Sequence, residues 1–139
     1  MAFLFMTIFR YKSIRWLTVA SYTALVYYLC LLPSSSIQSN DFLDKIYFDK
    51  WVHVMMYFGM WSILVWGFKS RPGLLSEKRQ PYFLAATILC LLMGVSIELL
   101  QLQIGRGMDW IDEIANLGGA LLAWIAWIKL ENKWKIYQW

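Results

Sequence analysis

The sequence is poor in the residues that usually carry disulfide scaffolds or metal chemistry. Its 139 residues include two cysteines and one histidine. Two cysteines make no disulfide framework, and Cys30 and Cys90 do not have the spacing of metal ligands. A lone histidine leaves no HExxH motif, and no nucleophile motif occurs either. Charge is also scarce. Asp, Glu, Lys and Arg make up 16% of the chain, against about 25% in an ordinary soluble domain. That shortfall excludes a small soluble bundle, which could not cover so much apolar surface. The strict alternation of a barrel strand is absent. So are internal repeats, low-complexity tracts and any second domain, and residues 1–139 read as one unit.

What the chain has instead is hydrocarbon. It is 60% hydrophobic, with a mean hydropathy of +0.48. Four apolar stretches cover residues 16–33, 51–68, 82–103 and 111–128. The first has no charge, the second only His53, the third only Glu98. The fourth carries Asp112 and Glu113 at its start. About 20 residues of helix cross roughly 30 Å of hydrocarbon, and a helix satisfies its own backbone in lipid. The expected fold is therefore all-α: a polytopic membrane protein with a four-transmembrane-helix bundle. The first stretch is longer than the apolar core of a signal peptide and reads as a retained helix.

Basic residues orient the bundle. Arg10, Lys12, Arg15, Lys69, Arg71, Lys78, Arg79, Lys129, Lys133 and Lys135 fall on one side; Lys45, Lys50 and Arg106 fall on the other. The positive-inside rule puts both termini in the cytoplasm. The net charge of +4 is then topology signal, of a sign that suits contact with anionic lipid, and no nucleic-acid partner is expected. Trp16, Trp51, Trp66, Tyr82, Trp110 and Trp127 fall near helix ends, as interfacial anchors do. Residues 1–9 read as an apolar segment lying along the inner surface. Cys30 and Cys90 should differ in depth by roughly 15 Å, so no disulfide is expected.

Polar residues concentrate where two apolar stretches meet. Residues 96–119 read SIELLQLQIGRGMDWIDEIANLGG. Residues three or four apart share a helix face. Asp49, His53 and Tyr57 thus line up on the second helix, with Lys50 beside them as an ion-pair partner or rim cation. Glu98 and Gln101 share a face of the third helix, above Gly94. Asp109, Asp112 and Asn116 share a face of the fourth, and Glu113 falls off that face, toward solvent. Gly105 and Gly107 free the backbone around Arg106 in a short turn. Glu98 and Asn116 each lie about five residues inside a helix end, roughly 8 Å deep. Charge inside a membrane usually faces the bundle interior or water. These faces predict one polar cavity open to the outside, floored by Glu98 and Asn116 and rimmed by Asp49, Arg106 and Asp109. Ala115, Gly119 and Ala123 recur every four residues, the spacing that lets helices approach closely.

The same residues resemble a known pattern. Asp49-Lys50-Trp51-Val52-His53 followed by Tyr57 resembles the DKxxH…Y element of the VanZ-like family. Glu98-Leu-Leu-Gln101, then Arg106, Asp109, Asp112, Asn116 and Gly119, resembles its second element, ExxQ…R…D…D…N…G. The resemblance covers roughly residues 16–128; Ala123 stands where the family often has a further glycine. It implies a multi-pass protein of the bacterial cytoplasmic membrane with an antibiotic-resistance or cell-envelope role. The family is named for a protein giving low-level resistance to teicoplanin, a lipid-tailed glycopeptide.

Three functions are compatible with this pattern. In the first, Asp49, Lys50, His53, Tyr57, Glu98, Gln101, Arg106, Asp109, Asp112 and Asn116 form a binding site for an amphiphile, such as a lipid-linked precursor or a lipoglycopeptide. Arg106 would hold its carboxylate or phosphate, and membrane lipid would surround it. In the second, His53, Glu98, Asp109 and Asp112 supply acid/base or divalent-cation chemistry for a hydrolase or transferase acting on lipid-linked phosphate. In the third, Asp49–His53, Glu98–Arg106 and Asp112–Asn116 pair with one another and lock the bundle. No particular cofactor, metal or oligomeric state follows from the sequence.

Overall fold

The computed structural model describes the backbone of residues 2–32, 47–68 and 75–136, and the side chains of residues 12–32, 47–68 and 80–130. The segment 34–46 and the basic side chains Arg10, Lys45, Lys69, Arg71, Lys78, Arg79, Lys133 and Lys135 lie outside the described residues. All regular structure among the described residues is helical: α1 (Ala2–Cys30), α2 (Phe48–Phe68), α3 (Leu75–Gln103) and α4 (Trp110–Ile136).

The helices sit where the apolar stretches predict them, but three run further. α1 begins at Ala2 rather than near residue 16, because no glycine or proline interrupts residues 2–30. The backbone of residues 2–9 therefore continues α1 and is not a separate segment. α1 stops at Cys30, three residues before Pro33, in keeping with the bias against helix ahead of proline. α3 starts at Leu75 and carries Pro81 in its second turn, where the missing N–H removes one helical bond. α4 continues past Ile128 to Ile136, through a polar tail without a helix breaker.

Among the described residues, three spans are long and apolar enough to cross a membrane: Phe48–Phe68, Gln80–Gln103 and Trp110–Leu130. At 1.5 Å per residue these measure roughly 30–36 Å, matching a hydrocarbon core of about 30 Å. α1 is long, but over its described residues Lys12, Arg15 and the tyrosines 22, 27 and 28 dilute its apolar content.

α2 lies at the centre. Tyr57, Met60, Trp61, Leu64 and Val65 are all buried. α4 approaches it most closely at Gly119, where an added Cβ would run into the Val54 carbonyl and the Phe58 backbone nitrogen. Buried Ala115 and Ala123 extend this small-residue seam. Gly118, by contrast, faces open space. Trp61 fills the middle of the bundle. Its ring meets Phe83 edge-on and stacks on Trp124, and its Nε1 donates to Thr87 Oγ1 at 2.9 Å. Trp127 also turns inward to Trp61, unlike Trp51 and Trp110, which are exposed. α1 docks on α2 through Tyr22, whose ring covers Gly59 and whose hydroxyl donates to the Met56 carbonyl at 3.1 Å.

Candidate functional site

The end of α1, the start of α2, the end of α3 and the start of α4 meet at one end of the bundle. The turn between α3 and α4 is built by two caps. Gly105 has φ +78°, the left-handed conformation glycine tolerates. Its N–H donates to the Leu102 carbonyl at 3.2 Å, and Arg106 N–H donates to the Gln101 carbonyl at 2.9 Å. This is a Schellman ending. Three residues later Asp109 caps α4: its Oδ1 accepts the Ile111 N–H at 2.9 Å, and its carbonyl accepts the Asp112 N–H at 3.0 Å.

Glu98 joins these pieces. Its Oε2 accepts the Asp109 N–H at 2.9 Å, which sets a carboxylate at the positive end of α4. The first turn of α4 is thereby drawn down beside Glu98. Gly94, one turn earlier on α3, then faces the Glu113 and Asn116 side chains. The polar side chains form a ladder in depth, not a single layer.

Lys50 carries the electrostatic centre. Its Nζ lies 2.5 Å from Asp109 Oδ2, 2.5 Å from Asp112 Oδ1 and 3.0 Å from Asp49 Oδ2. The Lys50 and Asp112 side chains are 17% and 14% exposed, while Asp109 and Asp49 reach 42% and 62%. The Lys50 ammonium, helped by the Ile111 N–H, holds the Asp109 carboxyl below the usual carboxylate range. His53 is next in the ladder. Its Nδ1 is 2.9 Å from Asn116 Oδ1. Asn116 Nδ2 donates to Glu113 Oε2 at 3.1 Å, so Asn116 Oδ1 is the acceptor and His53 Nδ1 the donor. His53 Nε2 lies 3.8 Å from Asp112 Oδ2.

Gln101 and Arg106 serve another helix. Gln101 Nε2 donates to the Cys30 carbonyl at 2.8 Å. Arg106 Nη1 donates to the carbonyls of Cys30 at 2.9 Å and Leu32 at 2.8 Å. Both thus satisfy the orphan carbonyls at the C-terminus of α1.

Several expectations change accordingly. Glu98, Gln101 and Asn116 are only 2–3% exposed and bonded as described, so they are packed network members and not the floor of an open cavity. The pairings differ as well. Asp49 pairs with Lys50 rather than His53, Arg106 with α1 carbonyls rather than Glu98, and Asn116 with His53 and Glu113. Glu113 is half-buried rather than solvated. It packs against Gly94, and its Oε1 is buried without a hydrogen-bond partner. Its three-residue spacing from Asn116 was the signal for this. Tyr57 is fully buried beneath His53, and its hydroxyl also has no partner. Tyr27 and Ser96 join α1 to α3 through a hydroxyl pair that nothing in the sequence pattern marks.

The four acid/base candidates do not meet at one point. His53 adjoins Asp112, Asp109 reaches Asp112 through Lys50, and Glu98 is bonded to backbone. Among the described residues, no group of three or more His, Cys, Asp or Glu is arranged to hold a metal ion. Cys30 and Cys90 are both free and buried.

Together these features define an all-helical membrane protein with a cross-helix polar network at one end of its bundle. The sequence model of the VanZ/LLP1 family matches residues 1–131, and the chain belongs to that family. No curated protein and no solved structure matches it.

Proposed function

We propose that this protein is a bacterial cytoplasmic-membrane receptor for an amphiphilic envelope molecule, a lipid-linked precursor or a lipoglycopeptide such as teicoplanin. In this reading α1 is the fourth span, both termini are cytoplasmic, and the Lys50 network faces outward. The observation that carries it is the graded exposure of the network. Half-buried Lys50 and Asp112 hold a rim of more exposed Asp49 and Asp109, a preorganised charged edge at the end of an apolar bundle. Three carboxylates against one ammonium favour a cationic group. Arg106, with five N–H donors, keeps capacity for a phosphate or carboxylate beyond its two carbonyl bonds. Binding would sequester the amphiphile or shield its target.

The test is tolerance to a lipoglycopeptide in a susceptible bacterium expressing the protein. Asp49→Asn removes a rim charge whose ion-pair partner among the described residues is Lys50. It should abolish protection at unchanged protein level; full protection by this variant would refute the reading.

A second reading treats the network as structural. It is favoured by the bonds that Glu98, Gln101 and Asn116 make across helices. On that reading, substitutions at the network lower the amount of folded protein, and no well-folded variant loses the phenotype alone.

A further inference from the structure

Below the polar network, α1 leans on α2 and leaves a gap beside α3. The gap is a cleft of about 320 Å³. Tyr27 and Ser96 stand at its upper end, joined by their hydroxyl pair. Met60 and Leu64 of α2, both nearly inaccessible, form its floor. On α3 it runs from Ser96 down to Leu89, roughly 10 Å at helical rise. Leu89 and Leu92 stand at its mouth and are exposed on the face of a membrane-crossing span.

The wall chemistry restricts what enters. Its hydroxyls are already occupied: Thr23 donates to the Val19 carbonyl at 2.8 Å, and Ser96 to the Met93 carbonyl at 2.8 Å. A polar guest would find no unpartnered hydroxyl there and would lose its own hydration. An empty cleft would forfeit dispersion contacts along its lining. At this depth in a bilayer the available filler is hydrocarbon. At roughly 30 Å³ for a water-sized group, the space holds about ten such groups, enough for a stretch of one hydrocarbon chain. Met60 and Met93 are unbranched and adapt to different chain shapes.

We infer that the α1–α3 cleft is a binding site for a single hydrocarbon chain, the tail of the amphiphile whose head meets the Lys50–Arg106 end. The inference rests on the proposed receptor role for the identity of the head. Continuity links the two parts along α1: Tyr27, at the top of the cleft, lies one turn before Cys30, whose carbonyl accepts from Gln101 and Arg106. Tail and head would enter from the same side, through the gap between α1 and α3.

The experiment uses the full chain in lipid nanodiscs with two single-chain photoprobes, each bearing a diazirine at the chain end. One has a phosphate head and the other a neutral glyceryl head. Crosslinked peptides are mapped by mass spectrometry. Label should concentrate on Met60, Leu64 and Leu89. Leu92→Trp at the mouth should reduce it about tenfold, equivalent to ~1.4 kcal/mol. Leu89→Phe, a milder filling, should reduce it less. Leu122→Trp, on the exposed face of α4, should leave it unchanged. Label spread evenly over all lipid-facing residues, or unaffected by Leu92→Trp, would overturn the cleft. Equal cleft labelling by both probes, lost in Leu92→Trp, would uphold the cleft while removing the head-group reading.

Discussion

Replacing Lys50 with methionine removes the cation that Asp49, Asp109 and Asp112 share. The size of the effect follows from exposure. Breaking a buried ion pair by removing one partner costs about 3–5 kcal/mol, and Lys50 and Asp112 come closest to that case, at 17% and 14% side-chain exposure. The pairs with Asp109 and Asp49 are more solvated, and such pairs are worth about 0–1 kcal/mol each. Allowing for residual exposure, Lys50→Met should destabilise the bundle by roughly 3 kcal/mol. The assay is thermal or denaturant unfolding of detergent-purified protein, followed by tryptophan fluorescence. The double variant Lys50→Met/Asp112→Leu should recover most of the loss, since an apolar pair of similar volume is often neutral, and the cycle isolates the coupling. A loss under about 1 kcal/mol for Lys50→Met, or a double variant no better than the single, would refute this account of the network.

The same ion pair sets a pH dependence. Asp109 has a folded-state pKa below its ordinary value, mainly through Lys50. Its contribution is present above the unfolded value of about 3.9 and is lost as pH falls through the lower folded value. Unfolding midpoints should therefore drop in acid, and less steeply in Lys50→Met. At the α2–α4 seam, Gly119→Leu would drive a side chain into the Val54 backbone. It should cost at least about 3 kcal/mol or prevent folding, measured as monodisperse yield, while Gly118→Ala, facing open space, should purify normally. Arg106→Ala exposes two carbonyls of the α1 terminus; hydrogen exchange should rise over residues 27–32, and Arg106→Lys should restore part of the protection. Glu98→Leu leaves the Asp109 N–H without its acceptor and should cost about 1–3 kcal/mol, whereas Glu98→Gln, which keeps a carbonyl oxygen, should cost less in the same unfolding assay.

The helices were legible because lipid imposes a simple demand on sequence: long apolar stretches whose backbone is satisfied internally. Their ends were less so. Ala2, Leu75 and Ile136 extend helices through polar or mixed residues, where hydrophobicity carries no boundary signal. The family match over residues 1–131 agrees with the resemblance carried by Asp49–Tyr57 and Glu98–Gly119. Helical spacing placed polar residues on three helices but not their partners. Partner choice depends on the vertical offset of α4 against α3, fixed by the Glu98 bond to Asp109 N–H. That offset brings Lys50 between Asp109 and Asp112 and sets Glu113 against Gly94. Glu98 was the structural partner the pattern offered Arg106, because its actual partners, the Cys30 and Leu32 carbonyls, are more than seventy residues away in sequence.

The receptor reading is tested most directly by binding of a fluorescent lipoglycopeptide to the purified protein in nanodiscs, comparing wild type with Asp49→Asn and Arg106→Lys. The account predicts saturable binding by wild type and about tenfold weaker binding by each variant, with the unfolding midpoint of Asp49→Asn within a few degrees of wild type. Equal affinity in all three proteins, or no saturable binding by wild type, would contradict it.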